Sequence, residues 1–197
     1  MESKKDSIAE VERIYKSFLT NAKYWISELD YYGPNQFKQK VNEHEWTIGQ
    51  LYDHLTNGTY QYHLQQIKNC MLGVHGAPAG KKTWRGKFIF FLGKYPPFKV
   101  KANPDNTYVP TQPESPVKMK DDFYKFMKVM QKTAKEVEQA RKDYKTQHPV
   151  LGMLNVVEWY KLIEMHFRHH LIQKKRLDKT LRSTYKATPG EEIFTEV

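Results

Sequence analysis

Apolar residues recur every three or four positions along four long stretches of the chain, the spacing of helices with one buried face. The second stretch runs from about residue 47 to 71, the third from 115 to about 144, and the fourth starts near 155. No stretch shows a convincing period of two. The pattern predicts an all-α fold, specifically a four-helix bundle. The first stretch, about residues 6–29, carries Ile8, Val11, Ile14, Tyr15, Phe18, Ala22, Trp25 and Leu29.

The start of the second helix is marked by a strong local signal. Thr47 can cap the helix while Gln50 reaches back to the cap, and Trp46 and Leu51 form the matching hydrophobic staple. Asn57-Gly58 is a turn signal inside the helix. Because the apolar pattern continues in phase beyond that dipeptide, we predict one unbroken helix.

The third and fourth helices also have start signals. Ser115 followed by Pro116 places proline at the first helical position, where it is favoured. Asn155 and Glu158 repeat the capping box of the second helix. The apolar stripe of the third helix extends to about Tyr144. The helices define one domain over residues 1–182, followed by a tail at 183–197.

Residues 73–115 form a long connection between helices 2 and 3, rich in proline, glycine and aromatic residues. We expect it to be mostly irregular, with a short helix at Trp84–Leu92, and loops of this length tend to be functional. Its aromatic content predicts that it packs against the bundle. These aromatic residues are Trp84, Phe88, Phe90, Phe91, Tyr95, Phe98 and Tyr108.

Charge and cysteine content narrow the classes of partner. The 32 Lys and Arg against 22 Asp and Glu give a net charge of +10. Such a charge could serve nucleic acid, an anionic membrane surface or an acidic substrate, but the lysines are dispersed and no nucleic-acid motif is present. A single cysteine, Cys70, and the lack of a signal segment predict a cytoplasmic protein. The longest apolar run is too short to span a bilayer, so we expect no membrane partner.

Three histidines carry the candidate chemistry. His166 and His170 stand four residues apart, so their rings lie one turn apart on one helical face, which should face the interior. That spacing allows both rings to bind one metal ion. His54, on the inner face of helix 2, is the candidate third ligand. Three neutral imidazoles leave an open position for water, as in catalytic zinc sites. The alternative is a pair of histidines that hydrogen-bond to loop carbonyls near the helix end.

The remaining candidates are weaker. His169 lies about 100° around the helix from His170, and His63 lies off the His54 face of an α-helix. Cys70 lies too far along helix 2 to join the site and is expected to be a small buried hydrophobe.

Two segments of the chain resemble the DinB-like (DinB/YfiT) superfamily of metal-binding four-helix proteins. Residues 46–55, WTIGQLYDHL, are similar to the start of the family's second helix, and residues 166–173, HFRHHLIQ, to its H-x-x-H-H-x-x-Q segment. The Gly152-Met153-Leu154-Asn155 lead into Glu158-Trp159 adds to the resemblance. It assigns the family's metal ligands to His54, His166 and His170.

The resemblance implies a bundle that binds zinc, nickel or a similar divalent ion and is often a homodimer. Some family members are thiol-dependent transferases that use bacillithiol, mycothiol or glutathione, and others have no assigned activity. This sequence departs from the family in its long 73–115 connection and in Leu171-Ile172, where Arg-Gly often precedes the glutamine. Both departures bear on the substrate.

Two functions therefore remain open on the sequence. The first is a metal-dependent S-transferase or hydrolase that activates a thiol or water, acting on a small molecule such as a low-molecular-weight thiol. Basic residues could hold an acidic co-substrate: Lys81, Lys82, Arg85, Lys87 and Arg168. The second is a non-catalytic, stress-associated metal-binding protein, because no obvious Asp or Glu flanks the triad as a general base. In both cases we expect the 73–115 connection to return to the metal site and shape access to it.

Overall fold

A computed structural model describes residues 4–96 and 108–186 and shows a mostly helical chain with a small antiparallel sheet. The long helices confirm the helical prediction. The helices are α1 (Lys4–Glu28), a 3₁₀ turn (Leu29–Tyr31), α2 (Pro34–Lys38), α3 (Ile48–Asp53), a π-helix (His54–His63), α4 (Leu64–Leu72), α5 (Trp84–Leu92), α6 (Pro116–Gln139) and α7 (Val156–Lys186). The strands are β1 (Gly76–Ala77), β2 (Lys145–His148) and β3 (Gly152–Asn155).

A core of aromatic side chains holds the long helices together. Phe18 of α1 packs edge-on against Phe126 of α6 and Phe167 of α7, with ring centroids 5.9 and 5.2 Å apart. Trp25 packs edge-on against Tyr52 of α3, whose hydroxyl donates to the Trp25 carbonyl at 2.7 Å. Burying a large apolar side chain contributes about 1.5–3 kcal/mol, so this core fixes how α3 and α7 face each other.

The predicted helix starts are confirmed in detail. Thr47 Oγ1 accepts a hydrogen bond from the Gln50 backbone N–H at 3.0 Å, and Gln50 Oε1 accepts from the Thr47 N–H. Asn155 and Glu158 make the same reciprocal pair at the start of α7. Ser115 caps α6 through the Lys118 N–H. These local contacts set where the site helices begin.

The three strands were not predicted. β2 pairs with both β1 and β3 in an antiparallel sheet, in which Thr146 lies opposite Gly76 and Leu154. Strands of two to four residues are too short to show a period of two. The sheet also shortens the third helix: α6 ends at Gln139, and Tyr144 lies directly before β2, so the predicted extent to Tyr144 was wrong.

The second helix is continuous from Ile48 to Leu72, but its middle part is a π-helix rather than an α-helix. The π segment begins at His54 and includes the Asn57-Gly58 dipeptide. π-Helical segments are rare in proteins, and those that occur are frequently found at functional sites. The turn signal therefore marks a widening of the helix and not a break.

The 73–115 connection is more ordered than expected over its described residues. It contains β1 and α5, and Lys82 bridges to Gly152 beside the sheet. The predicted short helix Trp84–Leu92 is confirmed. The prediction that its aromatic residues pack against the bundle was wrong for Trp84, Phe88 and Phe91, which are 73%, 56% and 86% exposed. Phe98 and residues 187–197 of the predicted tail lie outside the described residues.

None of the helices in the described ranges is both long enough and apolar enough to cross a bilayer.

Candidate metal centre

The three predicted histidines converge on one point between the second helix and α7. His166 Nε2 lies 3.0 Å from His54 Nε2 and 2.9 Å from His170 Nε2. The ligand atoms of all three lie within 4.8 Å of one another, so the cluster could hold a metal ion. His54 comes from the junction of α3 and the π-helix, and the other two come from successive turns of α7.

This cluster cannot be satisfied by hydrogen bonds among its own members. A neutral imidazole nitrogen carries either one hydrogen or one lone pair. His166 Nε2 has two nitrogen neighbours at hydrogen-bond distance, so it cannot form a good bond with both. A cation resolves the conflict by accepting three lone pairs. Bonds of about 2.0–2.1 Å in a tetrahedral site would place the nitrogens about 3.3 Å apart, within a few tenths of an ångström of the two separations that involve His166.

The rings are held in the neutral state that metal binding requires. Burial lowers the pKa of His54 to about 4 and that of His170 to about 3. Burial also lowers the pKa of His166 well below its ordinary value, with further lowering from the neighbouring histidines. All three therefore present lone pairs at neutral pH, and metal binding does not have to displace protons from charged rings.

Hydrogen bonding orients the His170 ring. Its Nδ1 lies 2.9 Å from Gln173 Oε1, one turn further along α7. A hydrogen on Nδ1 donated to this oxygen leaves the lone pair on Nε2, which is the nitrogen that faces the cluster. Gln173 belongs to the motif that suggested the site, and this contact gives it a physical role.

Aromatic residues hold the His54 ring on two sides. Trp46, just before the helix cap, has its ring centroid 4.7 Å from that of His54, and Tyr108 has its centroid 6.3 Å away. Gly58 leaves room for this arrangement: a Cβ there would lie 3.2 Å from the Tyr108 ring and 3.3 Å from His54 Nδ1. The glycine that suggested a turn thus makes space for a ligand and its neighbour.

Asp53 fastens the end of the connection to the helix next to His54. Its buried carboxylate accepts hydrogen bonds from the Thr111 N–H at 2.8 Å, from Asn57 at 2.6 Å, and from the Tyr108 hydroxyl. Asp53 is thereby occupied as an anchor and is not free to serve the triad as a base. The neighbouring carboxylate also raises the pKa of Tyr108, after the larger effect of burial.

Sequence reasoning placed His63 away from the site, and the structure corrects this. Nine residues turn an α-helix by about 900°, which puts His54 and His63 on opposite sides. A π-helix has roughly 4.4 residues per turn, so nine residues complete about two turns. The His63 ring consequently lies against His166, with centroids 5.1 Å apart. Both rings have a buried Nδ1 without a hydrogen-bond partner among the described residues.

The other candidate residues have separate surroundings. The His169 ring lies against Tyr95 of the connection, with ring centroids 5.4 Å apart, and is not among the possible ligands. Cys70 is buried beside Thr146, as expected for a small hydrophobe. His148 Nδ1 accepts two backbone N–H groups in the turn between β2 and β3.

One residue of the connection, Tyr108, lies beside His54 of the histidine cluster, and another, Tyr95, contacts the neighbouring His169. The expected return of the connection to the site is met by Tyr108 and not by the exposed aromatic residues of α5. Sequence reasoning did not single out Trp46, Tyr108 or Asp53 as neighbours of the site. Trp46 was marked by the hydrophobic staple and by the 46–55 segment, and Tyr108 by the aromatic content of the connection.

The cluster has three protein ligands and no fourth among the described residues. His54, His166 and His170 are each partly exposed. Among the described residues, no fourth His, Cys, Asp or Glu joins the group of possible ligands. A separate cleft of about 450 Å³ lies between α6 and the second helix, and none of the three histidines lines it. Three protein ligands are typical of a catalytic metal site, whereas structural zinc sites are closed by a fourth protein ligand.

No protein family, curated protein or solved structure matches this chain.

Proposed function

We propose that this chain is a divalent-metal-dependent enzyme of the DinB-like type. It would act as a thiol-dependent S-transferase or as a hydrolase on a small molecule. The observation that carries this proposal is the convergence of His54, His166 and His170 on one point, with no fourth protein ligand among the described residues. Zinc or nickel is the proposed ion, because imidazole ligands suit both.

The chain's own residues would hold and orient the reacting centre. His54, His166 and His170 would bind the ion, and Gln173 would keep His170 in the required tautomer. An ion held there supplies one chemical function: it lowers the pKa of a coordinated water or thiol so that an anionic nucleophile exists near neutral pH. Trp46 and Tyr108 would limit the position of His54 and reduce water access on its side.

The basic residues that could bind an acidic co-substrate differ in whether other contacts within the protein already engage them. Lys82 pairs with Glu158, and Arg168 donates to Glu164 at 2.6 Å and to the Gly93 carbonyl. Both therefore have structural roles in fixing α5. Lys81, Arg85 and Lys87 are exposed, and a role for them in binding an acidic thiol is not favoured by any contact with the cluster.

The alternative is a non-catalytic metal-binding protein. It is favoured by the engagement of Asp53 as an anchor, because the cluster then has no free carboxylate from that residue to act as a base. The lack of a fourth protein ligand among the described residues favours the enzyme instead.

The test combines metal analysis with turnover. Protein prepared without a tag or chelator and reconstituted with zinc or nickel should hold close to one ion per chain. It should then conjugate bacillithiol or glutathione to an electrophile, and His170→Ala should abolish both while His169→Ala retains both. Absence of stoichiometric metal would refute the metal site. Stoichiometric metal without turnover or hydrolysis would favour the non-catalytic alternative.

The finer structural predictions belong to the same proposal. We propose that α1, the helix from Ile48 to Leu72, α6 and α7 form a DinB-like four-helix bundle within the 1–182 domain. A homodimer and a cytoplasmic location are proposed from the resemblance and from the single cysteine. Analytical ultracentrifugation tests the dimer.

A further inference from the structure

Helix α5 presents one strongly apolar face to solvent. At 100° per residue, Trp84, Phe88, Phe91 and Leu92 fall within an arc of about 100°. They are 73%, 56%, 86% and 42% exposed. The opposite face carries Gly86 and Ile89, which are buried.

The protein fixes α5 in this orientation by contacts at both ends. Thr83 Oγ1 accepts from the Gly86 N–H and donates to the Val150 carbonyl at 2.8 Å. Gly86 lies directly on the turn before β3, where a Cβ would meet the Leu151 carbonyl at 2.2 Å. At the other end Arg168 donates to the Gly93 carbonyl. The apolar face is therefore held outwards by the fold.

Positive charge flanks this face on both sides. On the same helical projection, Arg85 and Lys87 lie at the two edges of the apolar arc, and both are exposed. Lys81 and Lys94, just outside the helix ends, are also exposed. Residues 54–104 contain eight Lys and Arg and no Asp or Glu, so no acidic residue of this part of the sequence offsets the charge.

We propose that the α5 face, defined as Trp84, Phe88, Phe91 and Leu92 with Arg85 and Lys87, docks on an anionic lipid surface. Aromatic and leucine side chains on one side of a helix, bordered by Lys and Arg, are the combination that inserts into the boundary between headgroups and acyl chains. The apolar residues supply burial, and each nearby cation adds attraction to anionic headgroups. Such peripheral contact needs no membrane-spanning helix.

Charge complementarity selects lipid over other occupants. A second copy of this chain would carry the same cations to the same place, since a symmetric interface brings identical patches together. The repulsion of Arg85 and Lys87 with their counterparts opposes that arrangement. An anionic bilayer instead offers a flat surface that four projecting side chains on a helix about 13 Å long can enter together.

The test measures binding of the full-length chain to large unilamellar vesicles. Vesicles of phosphatidylcholine alone are compared with vesicles containing about 30% phosphatidylserine, by co-sedimentation and by the emission of Trp84. Two other tryptophans, Trp25 and Trp159, are fully buried, and a Trp84→Phe variant identifies the Trp84 signal. We expect binding to the anionic vesicles at least about tenfold tighter, a blue shift of Trp84, and weakening as salt is raised.

Matched variants locate the binding surface. Phe88→Ser/Phe91→Ser and Arg85→Glu/Lys87→Glu should each reduce binding to anionic vesicles at least about tenfold. Tyr31→Ser/Val117→Ser removes apolar groups that are equally exposed elsewhere, and should bind like the wild type. Lys128→Glu/Lys132→Glu on α6 is the charge control. Circular dichroism verifies that each variant is folded.

The other outcomes overturn the proposal. Equal binding to both kinds of vesicle, absence of binding, or binding unaffected by the α5 variants would show that this face does not recognise anionic lipid. Self-association that Phe88→Ser/Phe91→Ser abolishes, without vesicle binding, would identify a second copy as the occupant. Trp84 emission that is already blue-shifted in the free protein would show that the chain itself covers the face.

Discussion

Substitution of His170 by alanine tests the geometry of the candidate metal centre most directly. The variant removes one of three converging Nε2 atoms and leaves His54 and His166 in place. It also removes the ring that Gln173 orients. His169→Ala is the matched control, because its ring lies on the neighbouring residue but faces Tyr95.

The magnitude follows from linkage between metal binding and folding. At a free metal concentration of about 100 times the Kd, a ligand that binds only the native state stabilises it by about 2.7 kcal/mol. Loss of an outer-shell partner alone weakens metal sites 10–100-fold, so loss of a direct ligand should raise the Kd at least about 100-fold. The remaining stabilisation is then about 0.4 kcal/mol. A difference of about 2.3 kcal/mol lowers the Tm of a chain of this size by about 5–9 °C.

The assay is thermal unfolding with zinc at a fixed free concentration and again with EDTA. The metal-dependent shift in Tm is compared among the wild type, His170→Ala and His169→Ala, which removes any effect of the substitutions on the metal-free fold. We expect a clear shift for the wild type and His169→Ala, and almost none for His170→Ala. Equal shifts for the two variants would refute the assigned ligand, and no shift in the wild type would refute the site.

Three further outcomes are expected. Gln173→Leu should lower metal affinity about tenfold without abolishing it, since His170 loses only its orienting partner. Competition with a chromophoric chelator measures this affinity, and an unchanged value would contradict the prediction. Lys174→Ala should destabilise the fold by about 2–3 kcal/mol in urea, because the fully buried ammonium lies 2.6 Å from the partly buried Glu28 carboxylate, and Lys174→Arg should cost less. The metal-free protein should lose stability as pH falls from about 6.5 towards 4. Burial lowers the pKa of His54 to about 4 and that of His170 to about 3. In this pH window the unfolded chain therefore binds protons that the folded chain does not. Each ring should contribute about 1–2 kcal/mol of loss by pH 5, and equal urea midpoints at pH 7 and pH 5 would be inconsistent with buried, neutral rings.

The features that could be predicted depend on neighbours in sequence. Helix caps involve residues three apart, so Thr47 with Gln50 and Asn155 with Glu158 could be identified before any fold was known. His166 and His170 are likewise one turn apart in a helix that keeps its ordinary period. Their convergence with His54 required only that the inner faces of two helices meet.

The features that could not be predicted break a period or depend on distant residues. The predicted position of His63 was wrong because it was derived from the period of an α-helix, whereas the chain forms a π-helix there. The sheet was missed because β2 has a single buried residue, Thr146, and four residues cannot display alternation. The hydrogen bond from the Thr111 N–H to the Asp53 carboxylate joins residues 58 positions apart, and it left no signal in the sequence near either residue.

The distinction between contacts that are local in sequence and contacts between distant residues also separates the parts of the site by function. The proposed metal ligands lie on two helices whose starts are fixed by local caps, so the position of an ion depends on rigid elements. Tyr108, which lies beside the His54 ring, comes from the connection and is held by Asp53. Changes in the connection could therefore alter access to the ion while its ligands stay in place. Helix α5 extends this division: its anchors, Thr83 and Arg168, contact backbone carbonyls, so its exposed side chains can vary without disturbing the histidine cluster.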